Sequence, residues 1–319
     1  MKHFFAALVC AFLAAGPAFG QPWPEKPIRL VVSFAPGGVH DTLARLLSPK
    51  LSEALGQPVA VENRGGAGGN IAADAVAKSS PDGYTFLMAS EALATNEFLY
   101  RSLPYDLHKD LVPVAKLADF PMALVAHPSL PAASVAELVG LARARPGEIH
   151  YGSAGIGTAG HLAGELLAAV AGIDLVHVPY KGGAPALQDL IAGRIQLMFL
   201  SVTLSAPQVR QGRLRALAVA GERRAGKLPE VPSTAEAGFP QLETLLFSSL
   251  FAPAGTPAAI VQRMSAEAGK ALRAPDAAKL LAELGAVPAP SSPQEFARQL
   301  REIAARWGKL IRERNIRAD

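Results

Sequence analysis

Two glycine-rich turns have the residue types and the spacing of an anion-binding site. Residues 33–41 (SFAPGGVHD) and residues 151–158 (YGSAGIGT) each lie between a hydrophobic strand pattern and a helix pattern. A helix that begins at such a turn presents unpaired backbone N–H groups with partial positive charge, which attract an anion. The turns are about 120 residues apart, so we expect them in two different lobes. Two helix ends that face each other across a cleft would suit a small carboxylate.

The second turn also matches a dinucleotide-binding pattern, because residues 155–160 read G-x-G-x-x-G. That pattern further requires an acidic residue at the end of the next strand, where it holds a ribose hydroxyl. The next strand ends in residues 178–181 (VPYK), which contain no acid. A general anion-binding helix start is therefore the favoured interpretation, and a nicotinamide cofactor or a turn without a ligand are the alternatives. We predict no cofactor.

Catalytic and metal-binding patterns are weak in this sequence. Ser153 and His161 are residue types of a nucleophile and its base, but residues 152–155 (GSAG) do not match the G-x-S-x-G turn. His161 falls one turn into the predicted helix, where we expect it to pack or to cap locally. The other histidines beyond the N-terminal segment show no zinc-ligand spacing. We therefore predict neither a catalytic residue nor a metal ion.

Two carboxylates stand close to the predicted cleft. Asp41 is a plausible N-cap for the helix after the first turn, or it could reach a ligand donor. Glu91 follows the strand pattern of residues 84–89, which predicts a position at the rim of the cleft. There its carboxylate could accept a hydrogen bond from a ligand ammonium or remain solvated. The first role for Glu91 would favour amino acids over simple diacids.

Composition excludes several classes of protein. The chain has 319 residues, is 50% hydrophobic and carries a formal net charge of +4. This is enough apolar sequence for one or two α/β domains with their own cores, so disorder is not expected. The basic residues are scattered and form no stripe interleaved with aromatic residues, so we predict no nucleic-acid partner.

The N-terminus has the pattern of a secretory signal peptide. Lys2 and His3 precede an apolar run over residues 4–15, and small residues then lead to Gly20. We predict a signal peptide of residues 1–20 with cleavage after Gly20. The apolar run is too short for a transmembrane helix. The single cysteine, Cys10, lies within this segment, so the mature chain would contain no disulfide.

The patterns of strands and helices predict two α/β lobes, each with a central, mainly parallel sheet. Residues 28–89 read β-α-β-α-β, and a second series of units begins near residue 121. We assign residues 21–122 and 245–319 to lobe 1 and residues 123–244 to lobe 2, with a hinge where the chain crosses twice. Pro49 should bend or end the helix that follows the first glycine turn.

Several longer segments resemble the Bug-type receptors of tripartite tricarboxylate transporters, and together they extend over the whole mature chain in order. These segments are residues 27–38 (PIRLVVSFAPGG), 55–70 (LGQPVAVENRGGAGGN), 80–85 (SPDGYT), 151–155 (YGSAG), 161–165 (HLAGE), 176–183 (VHVPYKGG) and 250–257 (LFAPAGTP). The resemblance implies a type II periplasmic-binding-protein fold, in which two lobes close on a ligand like a Venus flytrap. It also implies a small carboxylate or amino-acid ligand and a membrane permease with a large and a small subunit.

The resemblance further implies which residues contact the ligand, largely through their backbone. The matching positions are Phe34, Ala35, Gly37, Gly38 and Asp41 in lobe 1, and Ser153, Ala154, Gly157 and Thr158 in lobe 2. Side chains near the cleft would select the rest of the ligand, and for this role we predict Ser90, Glu91, Ser201, Thr203 and Phe247. The chain departs from the family pattern at Ser33, where proline is usual, at Leu200, where an acid is common, and at Leu246, where tryptophan is frequent.

A carboxylate-binding receptor is the function that these features favour. A secreted hydrolase acting on the same acids is one alternative, although it would need a nucleophile and base within reach of each other. A sensor subunit that signals through a membrane protein is another, and the sequence does not separate it from a transport receptor. We expect a monomer, because closure of the cleft needs lobes that are free to move.

Overall fold

The computed structural model describes residues 23–244, 246–313 and 315–318. The predicted signal peptide lies outside this range. The chain folds around two β-sheets. The strands of the first sheet are β1 (Ile28–Val32), β2 (Val59–Asn63), β3 (Thr85–Ala89), β4 (Leu111–Phe120), β10 (Leu246–Pro253) and β11 (Val287–Pro288). The strands of the second sheet are β5 (Met122–Ala126), β6 (His150–Ser153), β7 (Val176–Pro179), β8 (Leu197–Ser201) and β9 (Arg215–Val219).

Helices cover both faces of each sheet. Those that belong to the first sheet are α1 (Val39–Leu55), α2 (Asn70–Ala77), α3 (Leu93–Leu99), α4 (Leu107–Asp110), α9 (Ala258–Arg273), α10 (Pro275–Leu284) and α11 (Pro293–Glu313). Those that belong to the second are α5 (Val135–Ala144), α6 (Ala159–Ala171), α7 (Gly183–Ile191) and α8 (Val202–Arg210). Because both faces are covered, central strands such as β5 and β8 are apolar and buried at nearly every position.

The two-lobe α/β fold is confirmed, but both sheets are mixed rather than mainly parallel. The strand order is β11-β4-β10-β3-β1-β2 in the first sheet and β7-β6-β8-β5-β9 in the second. Strands β1, β2 and β3 are parallel to one another, as are β6, β7 and β8. Strand β10 then pairs antiparallel with both β3 and β4, and β5 pairs antiparallel with both β8 and β9. Every antiparallel strand pair in the described residues includes β4, β5 or β10, which are the strands beside the crossings between the sheets.

The two crossings lie side by side. Strand β4 ends at Phe120 and β5 begins at Met122, so the chain leaves the first sheet within two residues. It returns at Leu246, which is paired with Phe120 across the β10–β4 ladder. The predicted hinge segments are therefore neighbours in space. The lobe boundaries that we placed at these crossings remain a prediction.

Helix α1 differs from its prediction at Pro49. The helix is continuous from Val39 to Leu55 with Pro49 inside it, so Pro49 does not end its first half. Leucines at helical spacing, including Leu43, Leu47 and Leu51, bury this helix against the first sheet. The buried apolar face holds the helix together where proline removes one backbone hydrogen bond. Gly56 ends the helix in a left-handed conformation, which glycine adopts without strain.

Candidate functional site

The N-terminus of α1 opens into the space between the lobes without a side-chain cap. Gly38 is the N-cap residue and has an extended conformation. It provides no side-chain hydrogen bond to the N–H groups of the first turn. Asp41 lies in the first turn instead of at the cap, so the prediction of Asp41 as N-cap is wrong. Its Oδ2 atom accepts a hydrogen bond from the N–H of Gly37 (2.9 Å), and both of its oxygens accept from Arg45 Nε. Although burial opposes it, these hydrogen bonds hold the pKa of Asp41 below its usual value.

The N-terminus of α6, in the other lobe, is bonded to a carboxylate of the protein itself. The N–H of Ala159 donates to Oε1 of Glu91 (2.8 Å), and the N–H of Phe247 donates to Oε2 (3.3 Å). Glu91 is only 2% exposed, so the prediction of a place at the cleft rim is wrong. The turn after β3 carries Glu91 across to α6, where the lobes meet and cover it. Burial raises the pKa of Glu91 to about 7, although its backbone hydrogen bonds act in the opposite direction.

A narrow cavity of about 40 Å³ lies between the two helix ends. It is lined by Phe34, Gly38, Val39, His40, Ser90, Met122, Ala154, Thr158, Ala159, Gly160, Gly183, Met198, Phe199, Leu200, Ser201, Leu204 and Leu246. Most of these side chains are apolar, and the remaining polar groups are few. A pocket of apolar walls with a small number of placed polar groups is typical of a small-molecule site.

His40 and Ser201 are two of the buried polar side chains that line this cavity. The ring of His40 stacks on Phe34 with 4.5 Å between centroids, and its Nδ1 atom lies 2.6 Å from the hydroxyl of Ser248. Burial lowers the pKa of His40 to about 3, so the ring is neutral at pH 7. The Ser201 hydroxyl is buried and has no hydrogen-bond partner within the described part of the chain. It is available to a ligand in the cavity.

The structure brings part of the predicted site together at this cavity. Of the predicted ligand residues, those that line it are Phe34, Gly38, Ser90, Ala154, Thr158 and Ser201. Those that lie outside its lining are Ala35, Gly37, Asp41, Glu91, Ser153, Gly157, Thr203 and Phe247. Phe247, for example, is buried against Phe296 with 6.1 Å between ring centroids. The assignment of these residues to ligand binding stays a prediction.

Several lining residues were missed by sequence reasoning. These missed residues belong to helices and strands whose apolar residues look like core residues in the sequence, and they are Val39, Met122, Met198, Phe199 and Leu204. Nothing in their type or spacing separates a cavity wall from a packed core. Leu200 and Leu246, which also line the cavity, did carry a signal in the sequence, because at both positions the chain departs from the family pattern.

A buried polar cluster supports the second glycine turn. The Ser153 hydroxyl lies 2.7 Å from Nε2 of His177, whose ring stacks on His161 at 4.0 Å between centroids. The Nδ1 atom of His161 accepts a hydrogen bond from the N–H of Gly157 (3.0 Å), as expected of a local cap. Burial lowers the pKa of His161 to about 4 and that of His177 to about 3. The nearest partner of Ser153 is thus His177, and neither histidine lines the cavity.

The glycine run of the first lobe contacts the second lobe directly. A Cβ atom on Gly68 would stand 2.5 Å from the backbone oxygen of Ile156, so only glycine fits between these backbones. Two hydrogen bonds join the lobes nearby: the N–H of Ala35 donates to the carbonyl of Lys181 (3.1 Å), and the Thr95 hydroxyl donates to the carbonyl of Gly157 (3.1 Å). The lobes are closed on each other along this seam.

Two further features of the described residues concern metal ions and membranes. In the residues that the structure describes, no three His, Cys, Asp or Glu side chains come close enough together to hold a metal ion. Over the same residues, no helix combines the length and the apolar character needed to cross a bilayer.

Comparison with known proteins supports the two-lobe fold. The structure of R. palustris Rpa4515 with adipate has a TM-score of 0.88 and 40% identity, over 92% of this chain and 98% of that chain. The periplasmic binding protein BugD has a TM-score of 0.88 and 32% identity, over 92% and 99%. MatC from Rhodopseudomonas palustris with bound malate has a TM-score of 0.86 and 33% identity, over 91% and 100%.

The sequence also matches a family model over most of its length. Residues 43–316 match the model described as the tripartite tricarboxylate transporter family receptor. Members of this family are solute-binding receptors rather than enzymes, and two of the solved relatives named above hold a carboxylate, adipate in Rpa4515 and malate in MatC. The chain therefore belongs to the receptor family of the tripartite tricarboxylate transporters.

Proposed function

We propose that this receptor binds a small solute through its carboxylate in the cavity between the lobes, and delivers it to a membrane permease with a large and a small subunit. The observation that carries the proposal is the uncapped N-terminus of α1, which opens into the cavity together with the buried, partnerless hydroxyl of Ser201. Helix N–H groups and a hydroxyl donor are the groups that hold a carboxylate away from water. The carboxylates in the two solved relatives are consistent with this chemistry.

The location of the protein is part of the same proposal. Its relative BugD is a periplasmic binding protein, and the N-terminal sequence has the pattern of a signal peptide. We propose that the protein is exported to the periplasm and cleaved after Gly20. N-terminal sequencing of the protein from a periplasmic extract should begin at Gln21.

The carboxylate requirement can be tested by thermal shift on the mature protein, after unfolding and refolding to remove any carried ligand. The panel would pair each acid with its neutral amide, such as hexanoate with hexanamide, and would include dicarboxylates and amino acids. A ligand at about 100 times its Kd stabilises the folded state by roughly 2.7 kcal/mol, which raises Tm by several degrees. We expect shifts with acids and none with their amides. Equal shifts with both members of a pair would contradict the proposal.

A further inference from the structure

We propose that the ligand of this receptor carries one carboxylate on an apolar body, because the protein supplies a second carboxylate from its own chain, at Glu91. The inference rests on the proposed function and narrows it. A diacid that is held by one carboxylate in each lobe would need the helix end of the second lobe. That helix end is already bonded to Glu91.

The contact between Glu91 and α6 has the form of a bound anion. Its Oε1 atom accepts from Ala159, the first residue of a helix of 13 residues, and its Oε2 atom accepts from Phe247. The helix end carries about half a positive charge, which an adjacent carboxylate offsets. A second carboxylate at the same helix end would have to displace Glu91 from the Ala159 N–H, and would be repelled by Glu91 in its ionised form.

The end of α1 is the free anion site that remains at the cavity. Gly38, Val39 and His40 line the cavity at the start of this helix, where the first N–H groups have no partner inside the helix. The nearest acid on this helix, Asp41, is turned to Gly37 and Arg45. The hydroxyl of Ser201 adds a buried donor without a partner in the described residues. One carboxylate can therefore be held here.

The rest of the cavity offers no cationic side chain to a second charge. Its walls include Met122, Met198, Phe199, Leu200, Leu204 and Leu246. Among the described residues that line the cavity there is no lysine or arginine. A second carboxylate would lose its water without gaining a cationic partner, which is strongly unfavourable. An aliphatic or aromatic body would instead bury apolar surface against these walls.

The same contacts argue against an ammonium partner for Glu91. Both carboxylate oxygens already accept backbone hydrogen bonds, and Glu91 is not among the residues that line the cavity. Glu91 therefore excludes diacids and does not select amino acids.

Calorimetric titration of the refolded mature protein tests the inference with matched pairs of acids. Butyrate and succinate, hexanoate and adipate, and octanoate and suberate have equal carbon counts and differ by one carboxylate. For the pair that binds, we expect the monoacid to bind at least tenfold more tightly than the diacid. In Glu91→Ala the end of α6 is free, and we expect this preference to fall at least tenfold. The control Glu97→Ala removes an exposed carboxylate from α3, where it lies 3.8 Å from His108, and should keep the wild-type preference.

Each outcome decides between the two proposals. A diacid that binds wild type as tightly as its monoacid, or a preference unchanged in Glu91→Ala, would overturn the inference while leaving the carboxylate receptor in place. If no acid of any pair binds, the proposed function and the inference fail together. If Glu91→Ala does not fold, the comparison of pairs on the wild type decides alone.

Discussion

Ser201 and Ser205 are two buried serines that differ in what they face. Neither hydroxyl has a hydrogen-bond partner in the described residues. Ser201 lines the cavity at the end of β8, whereas Ser205 lies one turn further on in α8 and is not part of the lining. An unpartnered buried hydroxyl costs free energy, so its presence beside a cavity points to a ligand.

Replacement of these serines should separate binding from stability. We expect Ser201→Ala to weaken binding of the preferred acid by about twofold to tenfold, the effect of one hydrogen bond worth roughly 0.5–1.5 kcal/mol. Its Tm without ligand should change little, because Ser201 makes no side-chain cap on α8. Ser205→Ala is the matched control and should bind as the wild type does. Equal affinity in the two variants, measured by calorimetry, would remove Ser201 from the site.

Four buried titratable groups give the protein a definite dependence on pH. His40, His161 and His177 have pKa values of about 3 to 4, below the value of 6.5 in the unfolded chain. The unfolded chain therefore binds more protons below pH 6.5, and the free energy of unfolding falls as the pH falls. Glu91 changes the free energy of unfolding with pH in the opposite direction. Its folded pKa of about 7 exceeds the unfolded value of 4.5, so its contribution is present below pH 4.5 and is lost as the pH rises through 7.

The histidines outnumber Glu91, so we predict a net loss of stability between pH 6.5 and pH 5. Each histidine contributes roughly 2 kcal/mol to that loss, from 1.36 kcal/mol per pKa unit. Glu91→Gln removes the opposing group and should make the loss steeper than in wild type. Urea denaturation at pH 7.5, 6.5, 5.5 and 5 measures this. Glu302→Gln, at an exposed carboxylate on α11, is the control. If the free energy of unfolding fell no more steeply with falling pH in Glu91→Gln than in wild type, this would contradict the burial of the Glu91 carboxylate.

At the scale of elements, the glycine run between β2 and α2 is the surface on which the lobes meet. Gly68 has a φ of +61°, and an added Cβ would press on the backbone of Ile156 in the other lobe. Gly56 has a similar φ of +72°, but nothing lies within 4 Å of an added Cβ there. The two positions share the conformational requirement and differ in the contact between lobes.

Alanine at these glycines should distinguish strain from obstruction. Both Gly68→Ala and Gly56→Ala should lower the free energy of unfolding by about 1 kcal/mol through backbone strain alone. Only Gly68→Ala should also hold the lobes apart, and we expect a loss of affinity for the bound acid of at least tenfold. Calorimetry and chemical denaturation on both variants measure the two effects. An equal loss of affinity in both would place the effect in local strain.

Local sequence patterns predicted the strands and helices better than they predicted which strands pair with each other. The strand and helix at each glycine turn follow from a short apolar run and from helical spacing, and they lie where expected. The antiparallel entry of β10 between β3 and β4 was not predictable, since it depends on pairing across more than a hundred residues. The destination of Glu91 was equally hidden, because it is set by how one lobe closes on the other.

At the scale of the whole molecule, the adjacent crossings allow the two sheets to move as separate bodies. Phe120 and Leu246 are the paired ends of the strands that join them. We predict that the preferred acid reduces the radius of gyration in solution X-ray scattering, since ligand binding favours the closed arrangement. Gly68→Ala is the internal control for this contraction and should contract less. We also predict that the protein is a monomer by light scattering, with and without ligand. A stable dimer, or no contraction with a bound acid, would contradict this picture.

Glu91 has a consequence for how the receptor responds to abundance. Because it is part of the chain, it competes for the end of α6 as a tethered group, at an effective concentration that dilution does not lower. For tethered groups this concentration is of millimolar order when the connection is short and flexible, and a fixed fold holds the group in place more firmly. Glu91 therefore outcompetes a dissolved diacid at micromolar levels for the end of α6, whatever the ratio of diacid to preferred solute. Discrimination against the second carboxylate is thus insensitive to the composition of a dilute medium.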